Sequence, residues 1–274
     1  MSPAAAMTNI RPPTSAVPQE PSPTAAASTP PPPPGRIADR GTVRRDSVRA
    51  AHWSVVGSAK VTGPVEVGTA DVRGTLAVGG KFTADGLRSR GNLEVEGPVE
   101  VRGSFSSRGT LRLAGTVRAV DLDLEGVARF AGAVTVDRTC SVRGALHAPS
   151  LAVGALRVEG AAHVPGLVRA LSVDTTFREA SELGRIEART VRLHGTLPNL
   201  VDKVFFHGRT VRVDRIDAES VELSGVEAGL VRAQKIVLGR GCHVTAVEGT
   251  VVSRHSSSVV GPESKSPPPY GLRR

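Results

Sequence analysis

Aromatic residues make up only 3% of this 274-residue chain. A compact globule of that size normally relies on large rings to fill its core, so an ordinary globular interior is not expected. Two cysteines, Cys140 and Cys242, are too few for a disulfide framework, which suits a reducing compartment. Both read as small buried apolar residues rather than as ligands or nucleophiles. No run of about 18 apolar residues is present to span a bilayer. The start lacks a basic segment followed by about 7–15 apolar residues, so a secretory signal is not expected there. Also missing are the Gly-x4-Gly-Lys-Ser/Thr phosphate loop and any strand–helix transition for a dinucleotide, so no nucleotide cofactor is expected.

The net charge of +9 is unevenly placed. Residues 1–56 carry six arginines against three acids, and 253–274 carry four basic groups against one acid. The remainder is close to balance, with 25 basic and 22 acidic groups. The ends also differ in composition. Pro12, Pro13, Pro18, Pro21, Pro23 and the run Pro30 to Pro34 stand among Ala, Ser and Thr. Residues 1–50 therefore read as a disordered, partly polyproline-II tail, and 253–274, with Pro267 to Pro269, as a second disordered basic tail.

What the chain has instead is a period. Gly74, Gly91, Gly109, Gly126, Gly144 and Gly160 follow one another at 17, 18, 17, 18 and 16 residues. Two residues past them lie Leu76, Leu93, Leu111, Ala128, Leu146 and Ala162; eight past lie Phe82, Val99, Val117, Val134, Ala152 and Val168. Such self-similarity marks a repeat architecture. Triplets such as Leu93-Glu94-Val95 and Val117-Arg118-Ala119 alternate apolar and polar, as a strand with one buried face does. Each ends near a glycine, which accepts positive φ and so suits a corner. Three short strands and three corners make one turn of a triangular solenoid.

Farther on, Val211, Ile216, Val221, Val226, Val231 and Ile236 are spaced five apart. On a helix that step would scatter them over every side, whereas strand–corner–strand gathers them into columns. The expected fold is thus all-β, a parallel β-helix with disordered proline-rich tails. Its first half spans 51–173 and its second 209–252, with an irregular patch at 174–208 that includes Phe205 and Phe206.

The stretch Gly91 to Gly97 (Gly-Asn-Leu-Glu-Val-Glu-Gly), followed by Pro98 to Gly103 (Pro-Val-Glu-Val-Arg-Gly), resembles the bactofilins, bacterial polymer-forming cytoskeletal proteins. Arg215 to Glu219 and Gly239 to Val244, ending in Val247-Glu248, resemble a longer branch of that family with a two-part β-helix. The resemblance covers about 57–250 and implies a right-handed coil. It also implies nucleotide-independent assembly, end to end, into filaments or sheets that act as scaffolds. The short apolar membrane-targeting N-terminus of some bactofilins is not found here.

Physical reasoning leads to the same function. A solenoid's terminal coils expose unpaired backbone groups over an apolar cross-section, which proteins normally cover. No amphipathic capping helix is legible at either end. The candidate self-assembly surfaces are Trp53, Val55, Val56 and Val61 in the first coil and Val244, Val247, Val251 and Val252 in the last. Trp53 reads equally as an interface anchor or as a lid over its own core. The expected partner is the chain itself, with envelope or cytoskeletal proteins recruited by the tails. Neither specific nucleic-acid recognition nor a small-molecule substrate is expected. The expected location is the cytoplasm, with contact at most to the inner face of the membrane. The alternative is a monomeric or small-oligomer β-helix platform that binds envelope or acidic partners.

Catalysis is not expected. The hexapeptide repeat of acyltransferase β-helices is absent, as are the acidic calcium-binding clusters of polysaccharide lyases. His147 and His163 both fall three residues past a corner glycine and should stack as outward neighbours, but a metal would need a further ligand.

Overall fold

The computed structural model describes residues 35–195 and 211–261 and the backbone of 263–264. These residues form one parallel sheet that winds on itself. Its coils are β1 (Arg36–Arg45), β2 (Val48–Val61), β3 (Val65–Val78), β4 (Phe82–Val95), β5 (Val99–Leu113), β6 (Val117–Phe130) and β7 (Val134–His147). There follow β8 (Leu151–Phe177), β9 (Ser181–Gly195), β10 (Val211–Ser224), β11 (Val226–Leu238) and β12 (His243–Arg254). Two short strands, β13 (Val259–Val260) and β14 (Glu263–Ser264), both pair with β12. The result is an all-β solenoid with no helix among the described residues.

Strands are longer than the triplets suggest. From β2 to β7 each runs 14 or 15 residues, so one strand follows most of a coil through its corners. The ladder survives the bends because consecutive coils bend at the same rung. Val48, Val65, Phe82, Val99, Val117, Val134 and Leu151 stack in one column. The corner glycines form another, which reaches back beyond Gly74 through Gly57 to Gly41. Two conditions exclude a side chain there. At Gly109, φ is 119°, a conformation that L residues rarely adopt. A Cβ at that position would also overlap the carbonyl of Gly91, whose carbon would lie only 3.1 Å away.

The five-residue spacing becomes coil stacking. Val211 pairs with Val226, Ile216 with Val231, and Val221 with Ile236, so one coil is three steps of five. This pattern begins earlier than the sequence reading places it. In β9, Ser181, Ile186 and Val191 pair with Val211, Ile216 and Val221. Residues 174–177 and 181–195 are therefore regular coil and not an irregular patch; polar Ser181 and Thr190 hide the rhythm. Positions 196–210, including Phe205 and Phe206, lie outside the described residues.

Both tail boundaries also shift. The stack starts at Arg36, within the stretch read as tail, because alternation persists there on a background of arginines. At the other end 253–261 stays on the coil. The buried Ser258 donates its hydroxyl to the Gly239 carbonyl at 2.5 Å, and the Arg254 guanidinium donates to the Ser258 carbonyl at 2.9 Å. Residues 1–34 and 265–274 lie outside the described residues.

One continuous core runs along the axis, from Val48 to Val247. Its largest fully buried side chains include Trp53, Phe82, Phe105 and Phe177. Cys140 and Cys242 are buried free thiols, as expected, and burial pushes the Cys140 thiol up to about 12.

Candidate functional site: the coil ends and a charged groove

The structure separates the candidate assembly residues into covered and accessible ones. Trp53, Val55 and Val61 are fully buried, because β1 lies over them: Ile37 pairs with Trp53, Asp39 with Val55, and Arg45 with Val61. Only Val56, on an outward face, is exposed, at 46%. The proposed bare apolar cross-section at this end is therefore corrected. Trp53 is core, not an anchor.

What closes this end is polar. The interior column that carries Val55 and Val72 in the next coils carries Asp39 in β1, and the column of Val61 and Val78 carries Arg45. Arg45 makes a two-toothed contact, donating Nη2–H to Asp39 Oδ1 at 2.6 Å and Nε–H to Oδ2 at 2.9 Å. The Trp53 indole N–H donates to the same Oδ2 at 2.9 Å. The Arg45 hydrogen bond holds the Asp39 carboxyl below its ordinary range; burial opposes it and the Trp53 N–H assists. A charge buried on one side and satisfied by three donors forms a plug over the apolar column.

The opposite end is more apolar. Val244 and Val247 are buried beneath the chain that follows, Val251 is half-buried against the core, and Val252 and Val259 are 62% and 52% exposed. Val244 pairs with Val260 and Val247 with Glu263. Of the eight candidates, Val252, Val251 and Val56 thus remain reachable by a partner. They do not form one patch, since Val56 lies near the other extremity of the stack.

A second feature escaped the sequence reading. A groove of about 660 Å³ runs along the stack from β7 to β11. Ala152, Ala170, Ala188 and Ala218 lie along it, and the small side chains leave the face indented. Leu171 stands at its edge, 65% exposed. Its wall carries Asp217, a buried carboxylate ringed by arginines from three coils. Arg215 donates to both of its oxygens, at 2.8 and 3.0 Å, and Arg185 Nη2 lies 3.2 Å from Oδ2. Arg232 approaches Oδ1 at 3.9 Å and also pairs with Glu248. Arg169 and Arg185 share Glu187, at 3.0 and 2.8 Å. The carboxylate raises the Arg215 pKa, chiefly through that hydrogen bond.

The signal was available. Arg185-Ile186-Glu187 and Arg215-Ile216-Asp217 put an Arg and an acid on the same outward side of a strand in successive coils. The groove's concavity had no such signal, because it depends on which alanines stack. His147 and His163 do stack outward, with ring centroids 5.9 Å apart. His163 Nδ1 lies 3.2 Å from Glu182. Burial, then Arg129 and His163, lower the His147 pKa. No group of three His, Cys, Asp or Glu among the described residues is arranged to hold a metal ion.

Comparison with protein-family models, curated proteins and solved structures finds no match for this chain. The fold and the local chemistry alone carry the functional reading.

Proposed function

We propose that this chain is a non-enzymatic structural protein of the bactofilin type. In this reading its coil is right-handed, it self-assembles without nucleotide into cytoskeletal filaments or sheets through the ends of its β-helix, and it serves as a scaffold in the cytoplasm. The observation that carries the reading is the unbroken parallel ladder from β1 to β12, in which each coil is the template for the next. The outer edge of a terminal coil has the geometry needed to receive one more coil, and a contact of that kind repeats without closing. At the β12 end, Val252 and Val259 add exposed apolar surface to that edge. At the β1 end, the contribution is backbone hydrogen bonding around the Asp39–Arg45 plug. Val252 is the position to test, because it is exposed, whereas a charge at buried Val55 would unfold the stack.

Sedimentation and negative-stain microscopy of the full chain, in buffer without nucleotide, test this. Large pelletable assemblies are expected for the parent chain and their loss for Val252→Asp or Val259→Asp, with unchanged thermal unfolding. Strictly single particles at high concentration would overturn the reading. The second reading, a binding platform for envelope or acidic partners, is favoured by the groove beside Asp217, whose volume falls in the ligand-binding range. It predicts monomers or small oligomers that capture a partner, and loss of that capture when Leu171 is replaced by Asp.

A further inference from the structure

Outward side chains of neighbouring coils face one another along the stack, and over most of the surface their signs alternate. Lys81 meets Glu100 at 3.0 Å, Arg108 meets Glu125 at 2.7 Å, and Arg212 meets Glu227 at 3.3 Å. Opposite charges on facing rungs stabilise a sheet and like charges destabilise it. Like charges also meet in pairs at Arg112–Arg129, Arg185–Arg215 and Glu187–Asp217, but one column carries three in succession. Arg73, Arg90 and Arg108 occupy consecutive rungs of β3, β4 and β5. Arg88 stands on the same outward face as Arg90, because Ser89 between them points inward. Three full charges of one sign follow one another nowhere else on the described rungs.

All four arginines are exposed. Asp71 lies 3.4 Å from Arg73, and Glu125 pairs with Arg108. Arg88 and Arg90 have no acid within ion-pair distance among the described residues. Arg185 and Arg215 are offset by Glu187 and Asp217 between them, whereas Arg88 and Arg90 have no such offset. An arrangement that works against folding without local compensation points to a function. Guanidinium forks suit phosphate oxygens, and rungs about 4.8 Å apart spread the three stacked groups over about 10 Å. The strip is bounded. Its next rung carries exposed Asp123 and Glu125, and Glu159 and Asp174 follow farther along. An anionic plane broad enough to lie on the strip would press on these acids, whereas a narrow chain confined to β3–β5 would not.

We propose that Arg73, Arg88, Arg90 and Arg108 bind the phosphodiester backbone of a nucleic acid, without reading its sequence. The test is fluorescence anisotropy of the full chain with a labelled duplex of about 20 base pairs of arbitrary sequence, at about 50–200 mM salt. The Arg88→Ala/Arg90→Ala pair should weaken binding about ten-fold or more, and should lower the salt slope by about 2. Arg143→Ala/Arg157→Ala, from the alternating part of the same face, should change affinity less than about two-fold. Circular dichroism confirms that each variant is folded. The proposal falls if the parent chain does not bind the duplex at the lowest salt, or if the two double variants lose affinity equally. It also falls if Arg40→Ala/Arg44→Ala alone abolishes binding, or if vesicles with anionic phospholipid compete more strongly than unlabelled duplex. Pelleting without duplex is followed in parallel, so a failure of self-assembly is read separately from a failure of this strip.

Discussion

The coils of β2–β7 and those of β9–β12 solve the same packing problem at two sizes. Rungs in the first set lie 17 or 18 residues apart, whereas Val211 and Val226 are 15 apart. Every buried aromatic ring of the described core lies before β9, and the later coils are filled by Val, Ile, Leu and Ala. Two or three extra residues per turn widen the cross-section enough to admit Phe82, Phe105 and Phe130; five-residue sides leave room only for aliphatic chains. Corners differ as well. The wide coils turn at a glycine column with φ between 117° and 136° from Gly57 to Gly160. The coil of β10 turns through ordinary residues at Asp214-Arg215 and Glu219-Ser220, and the glycine that ends it, Gly225, has a φ of 64°. Coil length thus sets what the core can hold.

The largest test of this contrast is Gly109→Ala. It places a Cβ in a left-handed conformation and onto the Gly91 backbone, and should cost about 3–5 kcal/mol in urea unfolding. Gly86→Ala is the control, since its Cβ would meet only Thr69 Cγ2 at 3.7 Å. An effect of similar size at both sites would refute the corner argument.

Core capacity gives the next largest effect. Val231→Phe in the narrow coils should destabilise by about 3 kcal/mol through overpacking. Leu122→Phe, one rung from Phe105 in the wide coils, should cost less than about 1.5 kcal/mol. Equal losses would mean that the two cross-sections do not differ as claimed. Asp217→Asn falls in the same range. It leaves Arg185 and Arg215 facing each other across a half-filled site, and about 2–3 kcal/mol should be lost in thermal unfolding.

A smaller effect of opposite sign concerns the wide coils alone. Ser89 and Ser107 stack inside the core between Val72 and Leu124, and neither hydroxyl has a hydrogen-bond partner among the described residues. Ser89→Ala and Ser107→Ala should each raise stability by about 1 kcal/mol. A loss would point to a water bound between them. The smallest effect is the pH response at the β1 end. Asp39 titrates below its unfolded value of 3.8, so the unfolded chain takes up a proton first as pH falls. Its contribution is complete well above pH 3.8 and is lost as pH drops through the lower folded value. The urea midpoint of the parent chain should therefore fall more steeply below pH 4 than that of Asp39→Asn.

Much of the architecture was legible in the residues. The glycine interval, the apolar positions tied to it and the step of five each state a winding chain, because strand alternation and stacking are local rules repeated at a fixed period. The boundaries were less legible. β1 and β9 follow the period, but their inward positions include Asp39, Arg45, Ser181 and Thr190 or lie beside them, and an apolar pattern does not register polar residues that find partners only after folding. Ser181 Oγ, for instance, accepts from the Ala162 N–H at 3.1 Å.

The candidate surfaces show the same division. That Val55 and Trp53 are apolar and close to an end is in the sequence; that a further coil covers them is not, since it depends on where stacking stops. By itself the sequence determined the coil, its length and most of the apolar residues that line its interior. The tertiary structure alone decided which coil is outermost, that an ion pair closes it, and which charges meet on adjacent rungs. The physical reason is range: periodicity acts within a coil, whereas covering, plugging and rung-to-rung pairing arise between coils whose facing residues lie from 15 to 30 positions apart.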